Sequence, residues 1–173
     1  MKNKIVIIGM PGCGKTTISR VLGKELNLKI YDVDDYIKEK TSKTIAELFE
    51  KGEDYFRDIE TECCIELSKK SNILIATGGG AVKRKENMEC FKDESIIIFI
   101  DRPVDNILSD VDVSKRPLLK DGKEKLIKLY EERYPLYKEY ADEIVVNNSN
   151  VEDVINKVKE IVHEHMGMST CQK

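Results

Sequence analysis

Five short apolar runs alternate with longer segments of helical period along this chain. Residues 4–8, 28–32, 73–76, 95–100 and 144–146 read as strands. The runs at 73–76 and 95–100 are continuously apolar, as expected of strands covered on both faces. Segment 16–26 places Ile18, Val21, Leu22 and Leu26 on one helical face. Segments 44–50 and 53–70 also predict helices, the second with Phe56, Ile59, Cys63 and Leu67 at helical spacing. Residues 123–140 read as mostly helical, with Pro135 expected to kink or break the run. Val151, Val154, Ile155, Val158, Ile161 and Val162 mark a last amphipathic helix, with Asn150 as its N-cap. Strands alternating with helices imply βαβ units, hence a three-layer α/β/α sandwich on a five-stranded parallel sheet. Segment 109–122 fits neither period. It is a polar loop around Arg116-Pro117-Leu118-Leu119, and a loop of that length in a compact domain is expected to be functional.

Composition narrows the class. A chain of 173 residues is expected to form one domain with a sizeable core. Charged residues make up 35%, yet the net charge is only −3. That balance argues against a nonspecific nucleic-acid binder, which favours a basic excess. The longest apolar run, 96–100, is far short of the roughly 20 residues a membrane span needs, so no membrane partner is expected. The apolar start is broken by Gly9, Pro11, Gly12 and Gly14 and ended by Lys15, unlike a signal peptide. Five cysteines form no C-x-x-C pair, which argues against a disulfide framework or zinc site and for a reduced cytoplasmic setting. Cys63 and Cys64 read as small core residues, and His163 and His165 as the polar end of the last helix. Only six of the 29 basic residues are Arg: Arg20, Arg57, Arg84, Arg102, Arg116 and Arg133. Against so Lys-rich a background, each Arg is a candidate for planar, bidentate contacts.

Residues 9–16 read Gly9-Met10-Pro11-Gly12-Cys13-Gly14-Lys15-Thr16. This is G-x-x-x-x-G-K-[ST] standing between a strand and a helix, the context the phosphate-loop motif requires. Its glycines let successive backbone N–H groups converge on phosphate oxygens, and the helix adds its positive end. Lys15 is placed to reach the β- and γ-phosphates, and the Thr16 hydroxyl to join a Mg²⁺ shell. The motif implies nucleoside triphosphate binding without choosing among kinase, ATPase and GTPase. No N-K-x-D tetrapeptide accompanies it. Asp32 and Asp101 both stand at strand ends where a Mg²⁺-assisting acid is expected, and spacing does not choose between them.

Asp32-Val33-Asp34-Asp35 follows the second strand. If the strand continues, Asp32 and Asp34 point the same way, and Asp34 could orient an acceptor hydroxyl and take its proton. Helix capping by Asp34 or Asp35 is the competing reading. Thr77-Gly78-Gly79-Gly80 follows the third strand. In an open α/β sheet that edge is where ligands bind, and glycines permit close approach.

Together these segments resemble the shikimate kinase family over about residues 4–162. The resemblance rests on GMPGCGKT (9–16), DVD (32–34), GEDYFRDIE (52–60), TGGG (77–80), RPLL (116–119) and RYPLY (133–137). It implies a P-loop kinase of nucleoside monophosphate kinase-like architecture: a single domain over 1–173, a substrate-binding helical insertion at about 33–62 and a mobile lid at about 109–122. It also implies Mg²⁺-dependent transfer of ATP's γ-phosphoryl group to the 3-hydroxyl of shikimate. Gly12, Cys13, Gly14, Lys15, Thr16 and Thr17 would then hold the phosphates. Thr16 would ligate Mg²⁺ with Asp32 assisting, which favours Asp32 over Asp101. Asp34 would be the candidate base, while Arg57 and Arg133 would clamp the carboxylate. Gly78, Gly79 and Gly80 would meet the ring, and Arg116 would close over the phosphates. A monomer is expected. A gluconate-type or nucleoside monophosphate kinase is the alternative within kinases, and a nucleotide-dependent switch the alternative outside them. The chain departs from the family pattern at Ser109, where similar enzymes commonly carry a second lid Arg. Weaker nucleotide grip, or compensation by Lys115 or Lys120, is expected there. Arg20, Arg84 and Arg102 read as surface or helix-end residues.

Overall fold

The computed structural model describes residues 2–110, 119–148 and 150–167. Its strands are β1 (Lys4–Ile8), β2 (Lys29–Asp32), β3 (Ile73–Ala76), β4 (Ser95–Asp101) and β5 (Glu143–Val146). All four strand pairings are parallel, in the order β2-β3-β1-β4-β5. Every residue of β1 and β3 is buried, which explains why those runs lack alternation. The helices are α1 (Lys15–Glu25), α2 (Val33–Thr41), α3 (Ile45–Glu50), α4 (Glu53–Ser68), α5 (Lys85–Lys92), α6 (Val104–Asp110), α7 (Leu119–Tyr140) and α8 (Val151–Met166). Among the described residues, no helix is long and apolar enough to cross a membrane.

Crossovers between parallel strands are right-handed. The chain moves outward from β1 to β2, then back through β3 and on to β4 and β5. Helix α1 therefore lies on one face, where it packs with α8. Helices α4 and α5 pack together on the other, with α5 and α7 against β4. This reversal sets the carboxyl ends of β1 and β3 side by side, the position where open α/β sheets bind ligands.

Strand β2 ends at Asp32, as read from the sequence, and Val33 begins α2, so Asp32 and Asp34 do not lie along one continuing strand. Two elements differ from the sequence reading. Helix α7 runs unbroken through Pro135. The carbonyl that Pro135 deprives of a donor belongs to Glu131, which is exposed, so water can take that bond. Tyr134 and Tyr137, on either side of Pro135, both pack against the Phe99 ring. Segment 109–122 overlaps the end of α6 and the start of α7, and its centre with Arg116 lies outside the described residues. The expected capping of α8 by Asn150 is present, its side chain accepting from the Asp153 N–H at 2.8 Å.

Candidate active site

The phosphate loop leaves β1 after Ile8 and enters α1 at Lys15. Gly12 and Gly14 have φ of 82° and 98°, left-handed conformations that glycine adopts at little cost. No side chain caps the N-terminus of α1, which leaves its first N–H groups to an anion. The Lys15 ammonium bridges the loop, donating to the Gly9 carbonyl at 2.7 Å and the Met10 carbonyl at 2.9 Å. Asn147 braces it from behind, with Nδ2 donating to the Cys13 carbonyl at 2.9 Å. Cys13 is fully buried, so what it offers a ligand is backbone.

Asp32 ends β2 and caps α2. Its Oδ1 accepts from the Asp34 N–H at 3.0 Å and the Asp35 N–H at 3.3 Å. The capping function thus falls to Asp32, not to Asp34 or Asp35. Asp34 sits half-buried in the first turn. Burial first, and the neighbouring Asp32 charge second, raise its carboxyl above the ordinary 3.8, while Lys38 and Lys15 pull the other way. Thr16 and Asp32 face one cavity. Asp101 accepts from the Tyr134 hydroxyl at 3.1 Å instead. Among the described residues no group of three acids, histidines or cysteines could cage a metal. One hydroxyl and one carboxylate fit a hard cation that keeps waters and takes phosphate oxygens, as Mg²⁺ does.

Helix α4 buries Phe56, Arg57, Glu60, Cys63, Cys64 and Leu67. Two charged residues therefore share the apolar stripe, while Ile59, placed there from the sequence, is only half-buried. The Arg57 Nη1 donates to Glu60 Oε2 at 2.6 Å. Burial pushes the Glu60 carboxyl up, and Arg57 beside it pulls partly back. Arg133, buried on α7, has an Nε without a hydrogen-bond partner among the described residues. Asp34, Arg57 and Arg133 all act electrostatically on Glu60, and both arginines act on the Tyr137 phenol. Both arginines thus reach Glu60 and Tyr137, and Asp34 reaches Glu60.

The loop after β3 joins these parts. The Thr77 N–H and hydroxyl both donate to the Ile7 carbonyl, at 3.1 and 3.2 Å, which ties this loop to the end of β1. Tyr137 donates from its hydroxyl to the Gly79 carbonyl at 2.5 Å. The three glycines have ordinary φ; what they supply is room. A Cβ on Gly78 would lie 3.0 Å from Asp34 Oδ1 and 3.2 Å from Glu60 Oε1. One on Gly79 would lie 2.6 Å from Pro11 Cδ, and one on Gly80 would collide with the Arg57 guanidinium.

One cavity of about 520 Å³ is lined by Gly12, Gly14, Lys15, Thr16 and Thr17 on one side and by Asp34, Gly78 and Gly79 on the other, with Asp32 between. Arg57, Arg133 and Gly80 are not among the residues that line this cavity. Arg116 lies outside the described residues. The sequence reading missed three residues that shape this site: Glu60, Arg102 and Tyr137. Glu60 had a signal, since it follows Arg57 by three positions on a helix. Arg102 had only the scarcity of Arg. It is no simple surface residue: it lines the cavity, and its Nη1 reaches the Gly12 carbonyl at 3.0 Å and Asp110 at 2.6 Å. Ser109 turns its hydroxyl back onto α6, donating to the Asn106 carbonyl at 2.8 Å.

The shikimate kinase family model matches residues 11–163. A shikimate kinase from Clostridium beijerinckii is 56% identical over 169 residues, covering 98% of this chain and 100% of its own length. One from Clostridium botulinum (strain Eklund 17B) is 59% identical over 162 residues, covering 94% and 98%. The solved structure of shikimate kinase from Acinetobacter baumannii in complex with shikimate has a TM-score of 0.86 and 33% identity, covering 96% of each chain.

Proposed function

The chain belongs to the shikimate kinase family, and from that premise we propose how its own residues divide the transfer of ATP's γ-phosphoryl group to the 3-hydroxyl of shikimate. It is a phosphotransferase with an alcohol as acceptor, and ATP is the co-substrate the family implies. The observation that carries the division is the shared cavity, with phosphate-loop residues on one wall and Asp34 and the glycine loop on the other.

Backbone N–H groups of Gly12 to Thr17 take the triphosphate. Lys15 exchanges its two loop carbonyls for β- and γ-phosphate oxygens. Thr16 and Asp32 would hold Mg²⁺, which would neutralise charge on the phosphates. Arg57 and Arg133 take the shikimate carboxylate, for which a guanidinium fork is the matching donor. Gly78, Gly79 and Gly80 let the ring approach the backbone. Asp34 accepts the hydroxyl proton as that oxygen bonds to the γ-phosphorus and the bond to the β-phosphate bridge breaks, leaving ADP. Its raised proton affinity suits a base. Arg116 adds charge over the phosphates, which a loose transition state rewards. The chain is proposed to act as a monomer. The cytoplasm, where ATP is made, is the setting proposed.

The test is ADP release from ATP and Mg²⁺ against shikimate, gluconate and nucleoside monophosphates. Turnover with shikimate is expected, together with a shikimate KM raised about 10- to 100-fold by Arg133→Ala at unchanged ATP KM. Turnover that ignores shikimate, or an Arg133 effect on ATP alone, would reject this division.

A further inference from the structure

We propose that Arg102 is a nucleotide-contacting residue that grips the phosphate chain, with Asp110 as the counter-ion it exchanges for phosphate. The inference rests on ATP binding at the phosphate loop. Arg102 follows β4 directly, and Pro103 after it fixes the backbone where α6 begins. The side chain is therefore launched from the sheet edge beside β1. It lies on the wall of the cavity that Lys15, Thr16 and Thr17 line. Its Nη1 is shared between the Gly12 carbonyl at 3.0 Å and the Asp110 carboxylate at 2.6 Å.

Three features point to a phosphate ligand rather than a loop tether. First, a guanidinium has five N–H donors, and both of these contacts use one nitrogen, so phosphate can be taken while Gly12 is kept. Second, the Asp110 side chain is 61% exposed. Ion pairs with so exposed a partner are weak, and a phosphate with more charge on the same fork outcompetes it. Third, α6 reaches the loop with an apolar side chain only. Ile107 Cγ2 lies 3.1 Å from where a Gly12 Cβ would stand, and Ser109 is engaged with its own helix. Residues 104–110 contain no Lys or Arg. Arg102 is the cation that this side of the cavity offers among the described residues.

The experiment titrates the full chain calorimetrically with ADP and with inorganic tripolyphosphate, beside shikimate-dependent turnover and thermal melting. Arg102→Ala is expected to weaken both ligands by about tenfold or more with shikimate KM unchanged. Arg102→Lys, which keeps charge but loses the fork, should fall between. Asp110→Asn is expected to tighten ADP by about two- to fivefold, since the competing carboxylate charge is gone. A tether predicts the opposite sign, because losing the pair would loosen the loop and weaken ADP. Unchanged affinities in Arg102→Ala would overturn the proposal. So would weakening of ADP but not of tripolyphosphate, which moves the contact to base or ribose. A wild-type chain that binds no ADP and turns over no shikimate would instead reject the reading of the site beneath it.

Discussion

Asp34 holds its proton more tightly in the folded chain than an ordinary Asp does, through burial first and Asp32 second. The folded state therefore binds more protons than the unfolded state between 3.8, the ordinary value, and the raised one. Stability falls as pH rises through that window, and at neutral pH the ionised Asp34 is a net cost. Glu60 acts in the same direction. Activity runs the other way, since a base must be deprotonated. We expect kcat/KM for shikimate to fall as pH drops through a value above the usual Asp range. Asp34→Asn should lower kcat about 100-fold or more while raising the melting temperature at pH 7. An unchanged kcat would remove the base, and a lowered melting temperature would refute the strained carboxylate. Asp34 was singled out by its place after a strand end, and Arg57 and Arg133 only through the family resemblance of the motifs around them; the structure brings all three to Glu60. Glu60 and Arg102 were not legible, because a charged residue at helical or strand-end spacing reads as solvated. Only the packed helix α4 and the folded sheet edge reveal that one is buried and the other faces the phosphate loop.

Helix α2 shows how one residue can serve an element and a site together. Asp32 Oδ1 satisfies two N–H groups at the start of α2, and its carboxylate is also the proposed partner of Mg²⁺. Asn caps a helix about as well as Asp does, which allows the two roles to be separated. Asp32→Asn should leave urea stability nearly unchanged while raising the Mg²⁺ concentration for half-maximal turnover severalfold. Asp32→Ala should add a stability loss of about 1 kcal/mol. Equal stability losses in both variants would mean that charge, not capping, is what α2 needs. The sequence left the DVD run open between strand and helix for a physical reason: an acid, a β-branched residue and another acid read as readily as strand alternation as a capped first turn. Its neighbour α3 was easier, because Thr44 and Glu47 form a capping box whose spacing is visible in the sequence. Of the kink or break expected at Pro135, the break is absent for the converse reason. Helix α7 is held on both sides of the proline by Tyr134 and Tyr137 on Phe99, contacts that local propensity does not contain.

For the molecule as a whole, alternation of apolar runs and helical segments sufficed to read a five-stranded parallel sandwich. It left unread which segments would share one loop. Residues 77–80 are that loop. Pro11 of the phosphate loop lies against Gly79, Asp34 of α2 and Glu60 of α4 against Gly78, and Arg57 against Gly80. Tyr137 of α7 holds the Gly79 carbonyl. The consequence is thermodynamic. A ligand that fixes this backbone from the acceptor side also fixes the neighbour of Pro11, so part of the ordering needed by the other ligand is already done. Shikimate should tighten ADP, and linkage requires ADP to tighten shikimate by the same factor, about fivefold or more for a typical coupling. Gly79→Ala, by driving a methyl group against Pro11, should shrink that factor toward one before it abolishes either binding event. Titrations of each ligand with and without the other would measure it, and equal affinities in both settings would mean that the two halves of the cavity are energetically independent.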